Sequence, residues 1–101
     1  MSKSYQLRQT TQFRKDFKEA LRYIAVNLQN PIAADAMVDT FDEAAEQVRA
    51  FPFAVQAYPT YRQSIYRAIN VKNYLAFYVV LDDAVEFRRF LYAGSDILLH
   101  L

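Results

Sequence analysis

The second half of the chain contains three consecutive segments that each have the pattern of a β-strand, and this run constrains the fold most. The middle segment, residues 74–81, is apolar on both faces, which is typical of a central strand covered from two sides. The segment before it, residues 64–69, alternates apolar and polar side chains, and residues 85–92 complete the run. Short turns at residues 70–73 and 82–83 separate the segments. The sequence therefore predicts a three-stranded antiparallel meander.

The first half of the chain predicts one short strand followed by two helices. Residues 4–9 alternate as a strand does, and apolar residues then recur at helical spacing from Phe13 to Leu28. Asn30 suits the N-cap of a second helix and Pro31 its first position, while Pro52 ends that helix. Because the connection between the two helices is short, they are expected to pack antiparallel.

These elements predict an α+β fold, an antiparallel sheet with an N-terminal two-helix hairpin packed on one face. The element order is β-α-α-β-β-β, and residues 97–101 can add one C-terminal helical turn. The 101 residues are expected to form a single domain, residues 1–101.

The composition excludes several kinds of site. A formal net charge of +1 gives no overall basic field, so any nucleic-acid binding must depend on a local patch. One glycine cannot build a phosphate-binding loop, and a chain with no cysteine and one histidine lacks the ligands of thiolate and multi-histidine metal sites. We therefore expect no cofactor and no metal. His100 is interpreted as a tail residue rather than a general base, and the carboxylates of the second helix as a solvated face.

The hydropathy pattern indicates a cytoplasmic protein without a membrane partner. The N-terminus lacks the apolar stretch of a signal peptide. The longest apolar run, residues 74–81, is too short to cross a bilayer as a helix.

Three arginines, Arg67, Arg88 and Arg89, lie inside the predicted strands, where charge is unusual unless a face is solvated, paired or used. The three lie in adjacent predicted strands and can approach one another across the sheet. Because consecutive strand residues point to opposite faces, we expect Arg88 and Arg89 on opposite faces and at most one of them beside Arg67.

Two interpretations of these arginines stay open. Beside exposed tyrosines they suit binding of phosphate and unpaired bases, because guanidinium groups bind phosphate bidentately and aromatic rings stack on bases. Alternatively, they pair with Glu86, Asp82 or Asp83 on a solvated sheet face while the tyrosines lie in the core.

An exposed strand edge with tyrosine anchors would also suit a partner peptide. The tyrosines concerned are Tyr66, Tyr74, Tyr78 and Tyr92.

A series of motifs along nearly the whole chain resembles the RelE/ParE superfamily, the toxin half of type II toxin–antitoxin modules. The motifs are Asn30-Pro31, Phe51-Pro52, the string Tyr66-Arg67 followed by Val71-Lys-Asn-Tyr74-Leu-Ala-Phe-Tyr78, and Leu91-Tyr92 before Asp96. The resemblance implies growth inhibition, a role in plasmid stabilisation and a cognate antitoxin that wraps the toxin in a hetero-oligomer.

The family has two branches with different targets. RelE-like members are ribosome-dependent mRNA endoribonucleases, and in that case the resemblance assigns catalysis to Arg67, Arg89 and Tyr92. ParE-like members poison DNA gyrase and lack the catalytic set. In either branch, the residues expected to bind the antitoxin or the target are Tyr66, Arg67, Tyr74, Tyr78 and Arg88.

Two departures from the ribonuclease pattern favour the ParE-like branch. Leu75 occupies a position where RelE-like members commonly carry arginine, and Ser95 precedes Asp96 where they carry another. The alternatives are a RelE-like endoribonuclease and a non-toxic fold relative that only binds an antitoxin.

Overall fold

The structure is a computed structural model that describes residues 5–60 and 63–101. Ser4, the predicted start of the first strand, and Tyr61, at the end of the loop before the meander, lie outside the described residues. The elements in chain order are β1 (Gln6–Gln9), α1 (Thr11–Arg22), a π-helical turn (Tyr23–Asn27), α2 (Pro31–Ala50), β2 (Arg67–Val71), β3 (Tyr74–Val80), β4 (Ala84–Tyr92) and α3 (Ile97–His100).

The helix hairpin forms largely as predicted. The Thr10 hydroxyl accepts a hydrogen bond from the backbone N–H of Phe13 at 3.0 Å and so caps α1. The Asn30 side chain caps α2 through the N–H of Ala33 at 3.1 Å, with Pro31 at the first position. The predicted long first helix instead ends in the π-helical turn, because the N–H of Leu28 bonds five residues back, to the carbonyl of Tyr23.

The sheet has the strand order β1-β4-β3-β2. β1 runs parallel to β4, and the other two pairs are antiparallel. The helices cover one face, which we call the helix face, around Phe13, Met37, Phe41 and Phe87. The second face buries Phe77, Val79 and Leu91 with the C-terminal residues Ile97 and Leu101. β3 therefore lies in the centre, and the predicted α+β fold class is confirmed.

A β-bulge in β4 decides where the strand arginines lie. Phe77 pairs with Arg89 and Tyr78 pairs with Phe87, so Arg88 is an extra residue without a partner on β3. Phe87 lies on the helix face, whereas Arg88 packs over the Tyr66 ring and Arg89 is opposite Phe77, both on the second face. The prediction that the two arginines point to opposite faces is therefore wrong, since the extra residue interrupts the alternation.

Arg67 does not approach either of them, and that prediction is also wrong. Its strand β2 is separated from β4 by β3, and it pairs with Tyr78 on the helix face. Among the described residues, no helix is both long and apolar enough to cross a membrane.

Candidate functional site

An open groove lies where the helix hairpin bends beside the turn between β2 and β3. Its volume is about 790 Å³. The π-helical turn and the start of α2 form one wall, and the β2–β3 turn with the end of β4 forms the other. We call it the tyrosine groove, after three of its lining residues. The lining residues are Tyr23, Ile24, Leu28, Asn30, Ala33, Ala36, Met37, Lys72, Asn73, Tyr74 and Tyr92.

Aromatic stacking on the sheet positions the tyrosines. The Tyr74 ring lies parallel to Phe90 with centroids 5.0 Å apart, and it meets Tyr92 edge-on at 5.7 Å. Tyr23 is 49% exposed and Tyr92 53% exposed, so both rings offer a partner aromatic surface. Burial is the main reason why the pKa of Tyr74 is raised, and the proximity of Tyr23 and Tyr92 raises it further. The Tyr74 phenol is therefore neutral near pH 7 and available as both hydrogen-bond donor and acceptor.

The single glycine of the chain permits this position of Tyr92. A Cβ atom at Gly94 would lie 2.6 Å from Cε2 of the Tyr92 ring. The hydroxyl of Ser95 also bonds the Tyr92 carbonyl in the same turn. Any larger residue at position 94 would push the ring away from its place in the groove wall.

The groove has an asymmetric charge. Lys72 is its one charged lining residue within the described part of the chain, and its backbone is held in the left-handed region at φ 57° by the tight turn. The chemistry of this surface suits an amphipathic segment with large apolar side chains and a carboxylate near Lys72. Tyr23 and Lys72 were not singled out from the sequence, because their juxtaposition requires the hairpin and the β2–β3 turn to meet.

Arg67 is engaged at the other end of the sheet. Its guanidinium donates to the carbonyl of Val55 and lies 5.2 Å from the centre of the Phe53 ring. Its strand neighbour Tyr78 is fully buried and donates to the carbonyl of Pro52 at 3.0 Å. Tyr78 is therefore a core residue, and Arg67 ties the loop after α2 to β2.

Arg88 is engaged on the second face. It donates to Glu86 at 2.9 Å and to Ser64 at 3.3 Å, over the ring of Tyr66. The pKa of Arg88 is raised: burial is the largest single influence and lowers it, but hydrogen bonding to Tyr66 and Glu86 and the charge of Glu86 together outweigh burial. Tyr66 itself is buried. This part of the face matches the paired-arginine interpretation.

Arg89 joins three elements. It donates to both carboxylate oxygens of Asp16 on α1, at 2.7 and 3.2 Å, and to the His100 carbonyl at 2.8 Å. Asp16 also accepts the backbone N–H of Phe90 at 3.0 Å. We call this cluster the Asp16–Arg89 junction. Asp16 shares the apolar side of α1 with Phe13 and Ala20, and a carboxylate in that position is the sequence signal that could have found it.

The structure does not bring together the three residues assigned to RNA cleavage. Arg89 and Tyr92 line one shallow pocket of about 340 Å³ beside the Asp16–Arg89 junction, whereas Arg67 lies at the other end of the sheet, bonded to the loop after α2. Of the residues assigned to partner binding, Tyr74 lines the groove, while Tyr66 and Tyr78 are buried. Within residues 5–60 and 63–101 no cluster of side chains is suited to a metal ion.

Comparison with known proteins relates this geometry to one family. The family model described as the ParE toxin of the type II toxin–antitoxin system parDE matches residues 7–97. Among curated protein sequences, none matches the chain significantly.

Solved structures share the fold at low sequence identity. A chain of the chromosomal ParDE toxin–antitoxin system from P. aeruginosa superposes with a TM-score of 0.73 at 16% identity, covering 90% of this chain and 98% of that chain. A chain of the E. coli DinJ-YafQ toxin–antitoxin complex gives 0.60 at 12% identity, covering 90% and 94%. YafQ from E. coli strain BL21(DE3) gives 0.54 at 17% identity, covering 87% and 92%.

Proposed function

The chain belongs to the ParE toxin family of type II toxin–antitoxin systems, and on that premise we propose that it acts in the cytoplasm by poisoning DNA gyrase rather than by cleaving RNA. One observation carries the choice between these activities. Each strand arginine is engaged inside the molecule, and the three do not converge.

Ribonuclease chemistry needs the opposite arrangement. Catalytic groups must meet at one phosphate in a fixed geometry, and donors must point to where charge develops. A cation bonded to an internal carboxylate, as Arg89 is to Asp16, has little capacity left for a phosphate. A net charge of +1 also gives little of the attraction to phosphate on which RNA affinity depends. These observations support a toxin that does not cut RNA, and the likeness to ParE-like toxins supports gyrase as its target.

The proposed neutralising partner is a cognate antitoxin that binds in the tyrosine groove. The solved structures that share the fold include toxin–antitoxin complexes by their descriptions. The groove offers two half-exposed tyrosine rings and the exposed side chain of Leu28, which is 56% exposed. Aromatic anchors of this kind dominate binding energy at interfaces. Lys72 adds one cation, so the bound segment is expected to be apolar with a carboxylate at that end.

Supercoiling by purified gyrase tests this function. Relaxed plasmid, gyrase and ATP are incubated with the toxin alone and with the toxin preincubated with its antitoxin. We expect the toxin alone to stop supercoiling and to leave cleaved DNA bound to gyrase, and the antitoxin to restore supercoiling. Gyrase unaffected by a preparation that still arrests growth on induction in cells would refute the proposed target.

A further inference from the structure

A second exposed apolar surface lies at the far end of α2 from the tyrosine groove. Phe51 is 72% exposed and Phe53 is 62% exposed, on either side of the buried Pro52. Large aromatic side chains are usually at least partly buried, so two exposed phenyl rings only two positions apart in the chain indicate a contact surface. We call residues 51–53 the aromatic turn.

The aromatic turn is fixed from beneath by the sheet. The Tyr78 hydroxyl bonds the Pro52 carbonyl at 3.0 Å, and the Arg67 guanidinium bonds the Val55 carbonyl. Arg67 also lies 5.2 Å from the centre of the Phe53 ring. Rings held by a pre-arranged backbone lose little freedom when they bind, which increases the affinity that they contribute.

The charge beside the rings is positive. Arg67 lies against Phe53, and Arg49, two residues before Phe51, is 43% exposed. Arg49 contacts Glu46 at 3.4 Å in an exposed pair one helical turn back, and such a pair is easily opened. The complementary surface is therefore an apolar cavity bordered by carboxylates.

We infer that the aromatic turn binds the target protein of this toxin at an apolar cavity bordered by carboxylates. The inference rests on the proposed function. Ala33, in the tyrosine groove, and Phe51 are separated by 18 positions along and just past α2, and a rise of ~1.5 Å per residue puts them roughly 27 Å apart. The antitoxin in the groove and the target at the turn can therefore use separate surfaces.

The test compares the double variant Phe51→Ser/Phe53→Ser with Ile32→Ser. Ile32 is a matched control, because it is 80% exposed at the opposite end of the same helix. Three quantities are measured for each protein: inhibition of gyrase supercoiling, growth arrest on induction without antitoxin, and antitoxin affinity by calorimetry. The double variant is expected to need at least about tenfold more protein for half-inhibition, as expected for loss of an aromatic hot spot, with antitoxin affinity unchanged. Ile32→Ser is expected to behave as wild type.

The outcomes separate the inference from the function on which it rests. Wild type that inhibits gyrase while the double variant inhibits it equally well overturns the inference alone. Loss of antitoxin affinity in the double variant assigns the turn to the antitoxin and also overturns it. Wild type that arrests growth without inhibiting gyrase refutes the proposed target. In that case, a double variant that no longer arrests growth supports the inference, and one that still arrests growth overturns it.

A charge variant keeps the inference testable if the double variant does not fold. Arg49→Glu reverses an exposed charge beside the turn and leaves both rings in place. It is expected to weaken gyrase inhibition severalfold at low salt and less at high salt, because charges at the rim of an interface mainly set the association rate. Equal inhibition by Arg49→Glu and wild type at both salt concentrations would contradict the carboxylate-bordered cavity.

Discussion

The tyrosine groove and the Asp16–Arg89 junction are built near each other on the same strand, and they differ in how their polar groups are used. At the junction, the Asp16 carboxylate accepts four hydrogen bonds, from Gln12, from Phe90 and two from Arg89, and the guanidinium donates to two elements. In the groove, Tyr23 and Tyr92 keep about half of their surface exposed. The junction holds α1, β4 and the C-terminal turn together, whereas the groove is open to solvent. In this protein the charged residues inside the strands are therefore structural, whereas the exposed aromatic rings of the groove are the surface proposed to bind a partner.

Removing the acid of the junction is expected to give the largest effect. Asp16→Ala leaves the N–H of Phe90 without its acceptor and Arg89 without its carboxylate. The expected loss is about 3 kcal/mol of the free energy of unfolding, since Arg89 is partly exposed and solvent compensates part of the cost. Urea unfolding measures it, with the exposed Asp35→Ala as control. A loss no larger than that of the control would show that the junction is not structural.

A substitution in the tyrosine groove is expected to change the affinity for the antitoxin rather than the stability of the fold. Tyr23→Ala removes a half-exposed ring from the groove wall and should raise the dissociation constant for the antitoxin about tenfold, roughly 1.4 kcal/mol. Val26→Ala, also exposed and in the same turn but outside the groove lining, is the control. Calorimetry with purified antitoxin distinguishes them. Equal weakening by both variants would argue against the groove as the antitoxin site.

Gly94→Ala tests how the groove wall is positioned. The new methyl group displaces the Tyr92 ring, and we expect the antitoxin to bind about threefold more weakly, roughly 0.7 kcal/mol. If Gly94 acts through Tyr92, the same substitution in a Tyr92→Ala background should have no further effect on affinity. Additive losses in this double-mutant cycle would separate Gly94 from the groove.

Much of the fold could be predicted from the sequence, because local chemistry determines it. The Asn30 cap, Pro31 and the two-sided apolar pattern of residues 74–80 depend on neighbours in the chain. The bulge at Arg88 could not be predicted, because one extra residue in β4 becomes visible only against its pairing with β3. The Asp16–Arg89 junction joins residues 73 positions apart, so it depends on how α1 meets the sheet edge. The faces of Arg88 and Arg89 follow from these long-range features.

A smaller, pH-dependent effect is expected from the core beneath the aromatic turn. Burial raises the pKa of Tyr78 above the ordinary value of 10.0, and the nearby Arg67 acts in the opposite direction. Because the folded state keeps the proton to higher pH than the unfolded state, this contribution to stability is present below pH 10 and declines as pH rises above it. Urea unfolding between pH 9 and about pH 11 should show the decline. Tyr78→Phe should make it shallower, and an unchanged slope would contradict the assignment.

The central claim is that the strand arginines hold the fold together and do not form a ribonuclease site. Primer extension on ribosome-bound mRNA tests it most directly, using wild-type toxin at a concentration that arrests growth and the antitoxin-bound toxin as control. We predict full-length mRNA in both samples. Codon-positioned cuts that appear with the free toxin and disappear with the antitoxin would contradict the claim.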